Sequence, residues 1–411
     1  MQSLHEALDW LYQQKKLKKR EDLSRIKNCI ELLKIQISYP VIHIAGTNGK
    51  GSTASYLNRM LMLSGKKVGL FVSPFVISFN ERIEINQEYI SDEDILLYID
   101  KLQKLQADYQ RNYEDTIPFF ELTLLMALLY FQEQKIDILI LECGIGGLLD
   151  ATNAIEKKVC VITNIGYDHM AQLGNTLEEI AFHKLGITRP GVPCFTTVDE
   201  ELLLYFKDYA KQHDVPLYWL TPEIKNIDIR DRGTKFMFRK DTFQTSLDGV
   251  YQAYNAALAI AVMQYLNPNL SVELLKEAIK TTSWPGRFEY ITPQIILDGA
   301  HNLPGIQALS HSLHLKYPHK KIKIVFTALK DKAIDSMLEA LDSVVDSYYF
   351  TTIEDKRSST LDTFHTKKKY FLYEDYREAI KKARENLKTE EILVITGSLH
   401  FISQVRKFIR S

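Results

Sequence analysis

The run Val41-Ile42-His43-Ile44-Ala45-Gly46-Thr47-Asn48-Gly49-Lys50-Gly51-Ser52 constrains this chain more than any other stretch. Its β-branched, apolar opening reads as a buried strand. The chain then turns through glycines and enters a helix with apolar Tyr56, Leu57, Met60, Leu61 and Leu63. Strand, glycine-rich turn and helix start make an anion cradle: backbone N–H groups at Gly49 and Gly51 can approach a phosphate, and the helix N-terminus adds positive potential. Lys50 supplies neutralising charge, and Ser52 or Thr53 can face a magnesium ion. The spacing is not that of the Walker motif, because only Thr47 and Asn48 separate Gly46 from Gly49-Lys50. A turn that merely ends a strand is the alternative. Lysine and hydroxyl together in a strand-to-helix context favour nucleotide binding.

A chain of 411 residues is too long for one ordinary core, so two domains are expected. Its net charge of −1 gives no electrostatic case for nucleic acid or an anionic membrane. The basic run Lys15, Lys16, Lys18, Lys19, Arg20 reads as a solvated helix end, with a contact to phosphate or another polyanion as the alternative. Cys29, Cys143, Cys160 and Cys194 show no zinc spacing, and two of them sit in strand-like apolar runs. Reduced thiols, an N-terminus unlike a signal peptide and the lack of a membrane-length apolar run imply a cytoplasmic protein.

Further strands end in residues with chemistry. Val68 to Val72 runs into Ser73-Pro74, Ile136 to Leu141 delivers Glu142, and Val159 to Thr163 leads to Asp168-His169. A carboxylate after an all-apolar strand is costly unless it meets a cation or donors. At a parallel strand's carboxyl end, beside a phosphate loop, Glu142 suggests magnesium, with a capping carboxylate as the alternative. The helix from Pro118 to Phe131 carries a core stripe, and 198–249 carries weaker signals read as an edge of the first domain. Proline and glycine in Thr281 to Arg287 mark a boundary, after which strands alternate with helices. The fold class is therefore α/β: a P-loop-type N-terminal domain (1–283) with a mostly parallel sheet, a linker (284–287), and a smaller Rossmann-like domain (288–411).

The strings GTNGKGS from Gly46, Asn80-Glu81-Arg82-Ile83, Asp150-Ala151-Thr152-Asn153, Trp284-Pro285-Gly286-Arg287 and Asp298-Gly299-Ala300-His301-Asn302 together resemble the folylpolyglutamate synthase and dihydrofolate synthase family of Mur-type ATP-dependent amide ligases. The resemblance implies ATP held between the domains, L-glutamate as the amine, and a folate or dihydropteroate as the carboxylate, joined through an acyl phosphate. It places Lys50 and Arg287 at the phosphates, Asn255 and Asp298 at the nucleoside, and His301 near the phosphates. One magnesium falls to Ser73 and Glu142; a second falls to Glu142, His169 and a carbamylated Lys184. Phe120, Glu121, Leu149, Asp150 and Ala151 fall near the folate. The partners implied are small molecules, with no nucleic acid or membrane, and a monomer is expected. Phe75, Leu148, His183 and Tyr251 depart from the family pattern, and the stretch LKKREDLSRI lacks an expected glycine. Two alternatives stand beside this reading: another Mur-type ligase acting on cell-wall precursors, and a nucleotide-binding protein that has lost ligase activity.

Overall fold

The protein is seen in a computed structural model that describes residues 3–14, 22–385 and 387–410. The basic run 15–20 and the first half of the glycine-free stretch 17–26 lie outside the described residues. Eight strands form the larger sheet: β1 (Val41–Ala45), β2 (Val68–Phe71), β3 (Ile83–Ile85), β4 (Glu88–Tyr89), β5 (Ile138–Glu142), β6 (Val159–Ile162), β7 (Cys194–Thr196) and β8 (Leu217–Trp219). Their order is β4-β3-β2-β5-β1-β6-β7-β8. From β2 to β8 all neighbours are parallel, and β3 and β4 add an antiparallel edge.

Every residue of β1, β2, β5 and β6 is buried. Parallel strands are covered on both faces, which is why they read as continuous apolar runs rather than as alternation. Period-two packing still operates. Ile42, Ile44, Val68, Leu70, Ile138 and Ile140 meet one helical layer, while Val41, Phe71, Leu139 and Leu141 meet the other. The first layer pairs the helix Lys50–Leu63 with Tyr251–Leu266, whose Ala253, Ala256 and Ala257 keep the contact surface low. The second contains Asp92–Tyr113 and Phe119–Gln134.

Residues 198–249 do more than trim an edge. Besides the helix Glu200–Gln212 and β8, they form a separate antiparallel sheet of β9 (Ile224–Asp228), β10 (Thr234–Phe238) and β11 (Asp241–Thr245). Phe236, Phe238 and Phe243 are buried against the paired helices. The opposite faces carry exposed polar residues such as Lys235, Thr242 and Gln244, which is what dilutes the apolar signal.

The C-terminal layer has β12 (Glu289–Thr292), β13 (Ile295–Leu297), β14 (Lys321–Phe326), β15 (Ser347–Thr352), β16 (Lys369–Asp375) and β17 (Glu391–Thr396), in the order β12-β13-β17-β14-β15-β16. All pairs are parallel except β12–β13. The edge strand β12 was not foreseen in the sequence; it is only half-buried and too polar to stand out. We propose the division at 284–287. Trp284 lies over the phosphate loop, and a Cβ at Gly51 would come within 2.8 Å of its ring. Among the described residues no helix is long and apolar enough to cross a membrane.

Candidate active site

Because β1, β2, β5 and β6 are parallel, the loops leaving their carboxyl ends gather at one end of the sheet. The loops at 298–301, 329–332 and 398–400 of the second layer face them, and a cavity of about 1240 Å³ lies between. Gly49, which precedes the helix, has φ +83°, and a Cβ there would sit 2.2 Å from Asn255 Oδ1. Both the backbone and the neighbour therefore require glycine. Thr163 Oγ1 donates to Asn48 O (2.6 Å), and Asn48 N donates to Asn164 Oδ1 (2.9 Å), so the end of β6 tethers the loop. Lys50 Nζ folds back to donate to Gly46 O (3.0 Å) and Thr47 O (3.2 Å), and lies 4.0 Å from Glu142 Oε1. Gln252 Nε2 donates to Ser52 Oγ (3.4 Å), linking the helix start to Tyr251–Leu266.

Two buried ionisable groups dominate this wall. Glu142 is 4% exposed; burial raises its carboxyl to about 7, against the pull of Lys50, the Ser73 amide (3.2 Å), Arg287 and Arg82. Lys184, near the end of the helix Leu177–Leu185, is equally buried, and burial reinforced by Lys50 pushes its amine down to about 7. Its Nζ has no hydrogen bond or ion pair among the described residues. His169 opens the next turn at φ +52°, and burial lowers its pKa against the attraction of Asp168. Among the described residues no three His, Cys, Asp or Glu side chains gather as a metal site. A divalent ion here would rest on Glu142 together with other donor types. A desolvated carboxylate with one amide and a lysine at 4.0 Å fits a hard cation.

The facing wall is better satisfied. Asp298 accepts from the amides of Phe288 and Ala300 (both 2.8 Å) and from the Tyr251 hydroxyl (3.2 Å). Burial nevertheless raises its pKa, with Arg287 opposing. Tyr251, a departure from the family pattern, thus keeps a polar contact at its position. His301 Nδ1 donates to Gly299 O (2.8 Å), and burial lowers its pKa to about 4. Asp168 ties the walls together, accepting from Lys332 Nζ and Asn302 Nδ2, both at 2.7 Å. Burial alone would raise the Asp168 carboxyl, but His169, His301 and the Lys332 ammonium hold it well below the usual carboxylate range.

Of the residues expected near a folate, Phe120, Leu149 and Asp150 line the cavity. Asp150 Oδ2 accepts from the amides of Gly144 and Ile145 (both 3.0 Å), while Oδ1 accepts from Thr152 Oγ1 (2.5 Å), fixing the loop after Glu142. Glu121 and Ala151 depart from expectation. Glu121 lies about 100° further round its helix than Phe120, is 1% exposed, and binds Arg25 through both oxygens at 2.9 Å. Ala151 is buried in the core at the start of a 3₁₀ turn. Leu148 packs on Gly186 instead of replacing a cavity charge, and Phe75 stacks on Arg82. Ser73, His169, Lys184, Asn255, Arg287, Asp298 and His301 all border the cavity, as do Asp168, noted in the sequence only as the neighbour of His169, and Arg82, Asn164 and Lys332, which the sequence did not single out as site residues. The signals were present as Arg82 inside Asn-Glu-Arg-Ile and Lys332 inside Ala328-Leu329-Lys330-Asp331-Lys332, but neither had a visible partner.

A glycine-rich phosphate loop facing a second parallel α/β layer across such a cavity is the arrangement of a Mur-type ligase. The Mur ligase middle domain model matches residues 44–263, and the Mur ligase, glutamate ligase domain model matches 286–399. Within that class, the chain belongs to the dihydrofolate synthase/folylpolyglutamate synthase family: it is 36% identical over 427 residues to the Bacillus subtilis dihydrofolate synthase/folylpolyglutamate synthase, covering 98% of each chain. Solved structures agree. A bifunctional folylpolyglutamate synthase/dihydrofolate synthase with Mn, AMPPNP and L-glutamate bound superposes with a TM-score of 0.86 at 28% identity, covering 100% of this chain and 99% of the other. The Escherichia coli FolC complex with DHPP and ADP gives 0.87 at 27% identity, covering 100% and 98%.

Proposed function

We propose that this chain is an ATP-dependent ligase that joins the amine of L-glutamate to the carboxylate of a folate, and also to that of dihydropteroate, through an acyl phosphate. The observation that carries the proposal is the convergence of the phosphate loop, Glu142, Lys184 and the 298–301 segment on one cavity. Aromatic Phe119 and Phe120 border that same cavity. Relatives with these activities along the whole chain support the substrate class.

A carboxylate does not condense with an amine at neutral pH, because oxide is a poor leaving group. Transfer of the terminal phosphoryl group gives a mixed anhydride, which the amine attacks with loss of inorganic phosphate. Such transfer needs positioning and charge neutralisation more than a protein nucleophile. Lys50 and Arg287 supply fixed positive charge at the phosphates. Asn255 and Asp298 hold the nucleoside part, and His301 stands beside the phosphates with Nε2 unprotonated. Divalent ions held by Ser73 and Glu142, and by Glu142, His169 and Lys184, would add charge stabilisation when bound. With its amine pushed down to about 7, Lys184 carries a reactive neutral fraction at physiological pH. Addition of carbon dioxide would convert it to a carbamate that offers oxygen ligands. We propose this modification for Lys184.

The test is ADP release with dihydropteroate, reduced folates or cell-wall precursors, each with and without glutamate. Release that requires both a folate-type acceptor and glutamate is expected. Release with cell-wall precursors alone, or none with any acceptor, would contradict the proposal.

A further inference from the structure

The segment Asn80-Glu81-Arg82-Ile83 divides its labour. Asn80 Nδ2 donates to Ile90 O (2.8 Å) and to Asp92 (2.9 Å). The Glu81 carboxylate gathers the amides of Val76, Ile77 and Ser78 at 2.7, 2.9 and 3.1 Å. Both residues are occupied with local structure. Arg82 is not: it is 7% exposed, and among the described residues its guanidinium has neither an ion pair nor a hydrogen bond. Nε is sealed from solvent without a partner. The guanidinium carbon stands 5.2 Å from the Phe75 ring centre, 5.4 Å from Phe119 and 6.0 Å from Phe79.

This is an expensive place for a cation. Burial lowers the Arg82 pKa only to about 10, so the group is charged at neutral pH. A buried cation without a partner anion is strongly disfavoured, and contacts with ring faces offset that cost only in part. The missing compensation is an anion, and Arg82 borders the cavity. With the nucleotide phosphates assigned to Lys50 and Arg287 in the reading above, Arg82 is left without an anion. On the Arg82 side stand the rings of Phe119 and Phe120, suited to a flat aromatic body, and Glu142 lies within electrostatic reach. An aromatic body seated against those rings would bring a carboxylate it carries to Arg82.

We infer that Arg82 binds the acceptor carboxylate that becomes phosphorylated, through charge-assisted hydrogen bonds from its terminal amino groups. The inference rests on the folate-acceptor reading above. In the step concerned, a carboxylate oxygen bonds to the terminal phosphorus of ATP, the bond from that phosphorus to the bridging oxygen breaks, and ADP leaves. Two anions must approach each other, and Arg82 offsets their repulsion while fixing the attacking oxygen. Phe75, where the family resemblance leads one to expect histidine, closes the cage with a ring that offers no competing hydrogen bond.

The experiment is a binding cycle with wild type, Arg82→Met and Arg82→Lys, using dihydropteroate and its decarboxylated counterpart, which lacks only the carboxylate. Wild type is expected to prefer dihydropteroate by about 10- to 100-fold, the range for a charged hydrogen-bonded pair. Arg82→Met should abolish that preference by weakening dihydropteroate alone, with Arg82→Lys in between. Unchanged binding of the decarboxylated ligand shows that the variant pocket is folded. Equal weakening of both ligands, or a preserved preference, overturns the inference. In turnover, KM should rise for dihydropteroate and tetrahydrofolate alike while KM for ATP holds. A loss confined to tetrahydrofolate overturns the assignment, because it would place Arg82 at the second carboxylate of the glutamyl group. Wild type that binds neither ligand contradicts the acceptor reading itself, and the inference falls with it.

Discussion

The two parallel sheets point their carboxyl ends into one cavity, yet they furnish it differently. On the N-terminal side, Glu142, Lys184 and Arg82 are buried charges with few partners or none. Moving a carboxyl from 4.5 to about 7 corresponds to roughly 3 kcal/mol against the ionised form. On the C-terminal side, Asp298 has three donors, His301 is tied to Gly299, and Lys332 and Asn302 converge on Asp168. One wall carries electrostatic stress that ligands relieve; the other is a finished receptor. We propose that reaction chemistry belongs with the stressed wall, and positioning of the nucleotide with the satisfied one.

The sharpest way to break this contrast is Glu142→Gln. Shape is conserved while the charge is lost, so turnover should fall by about 10³-fold, the scale of removing a central electrostatic group, with circular dichroism unchanged. Near-normal turnover at ordinary magnesium would remove Glu142 from the centre. Lys184→Ala should cost about 10²-fold, with partial recovery on adding acetate as a substitute carboxylate; wild-type activity would sink the carbamate proposal.

Thermal unfolding of chelated, ligand-free protein sharpens the same point. Lys184 has its folded pKa lowered from 10.5 to about 7, so the unfolded state binds more protons between those values. The penalty is therefore complete below pH 7 and fades as pH rises towards 10.5. Lys184→Met should be more stable than wild type by roughly 3 to 5 kcal/mol below pH 7, with the gap closing towards pH 10. A gap independent of pH would mean that the amine is not desolvated. The smallest effect is expected on the satisfied wall. Tyr251→Phe removes one of three donors to Asp298 and should raise KM for ATP a few-fold, about 1 kcal/mol, leaving kcat nearly unchanged. A collapse in kcat would blur the division between the walls.

Glu142 was legible in the sequence because it ends an apolar parallel strand, whereas Lys184, near the end of the helix Leu177–Leu185, was placed by the family resemblance alone. Ala45, Phe71, Leu141 and Ile162 mark strand ends or nearly so, and the loops that leave those ends open onto the cavity. Tertiary pairing was not legible. Asp168 and Lys332 lie 164 residues apart, and nothing local announces their contact. Glu121 adjoins a cavity residue in sequence, but the helix turns it towards Arg25. Arg82 sat inside a recognised string, and its significance lies in the lack of a partner, which only three dimensions reveal. The β9–β11 sheet was obscured because half its residues face solvent.

Activation of a carboxylate by phosphorylation at the stressed wall can be followed with oxygen isotopes. Dihydropteroate labelled with ¹⁸O in its carboxylate is turned over with ATP and glutamate, and the released inorganic phosphate is analysed by mass spectrometry. One labelled oxygen is expected in each phosphate formed, because the carboxylate oxygen that attacked phosphorus leaves with it. Phosphate carrying no label would contradict it.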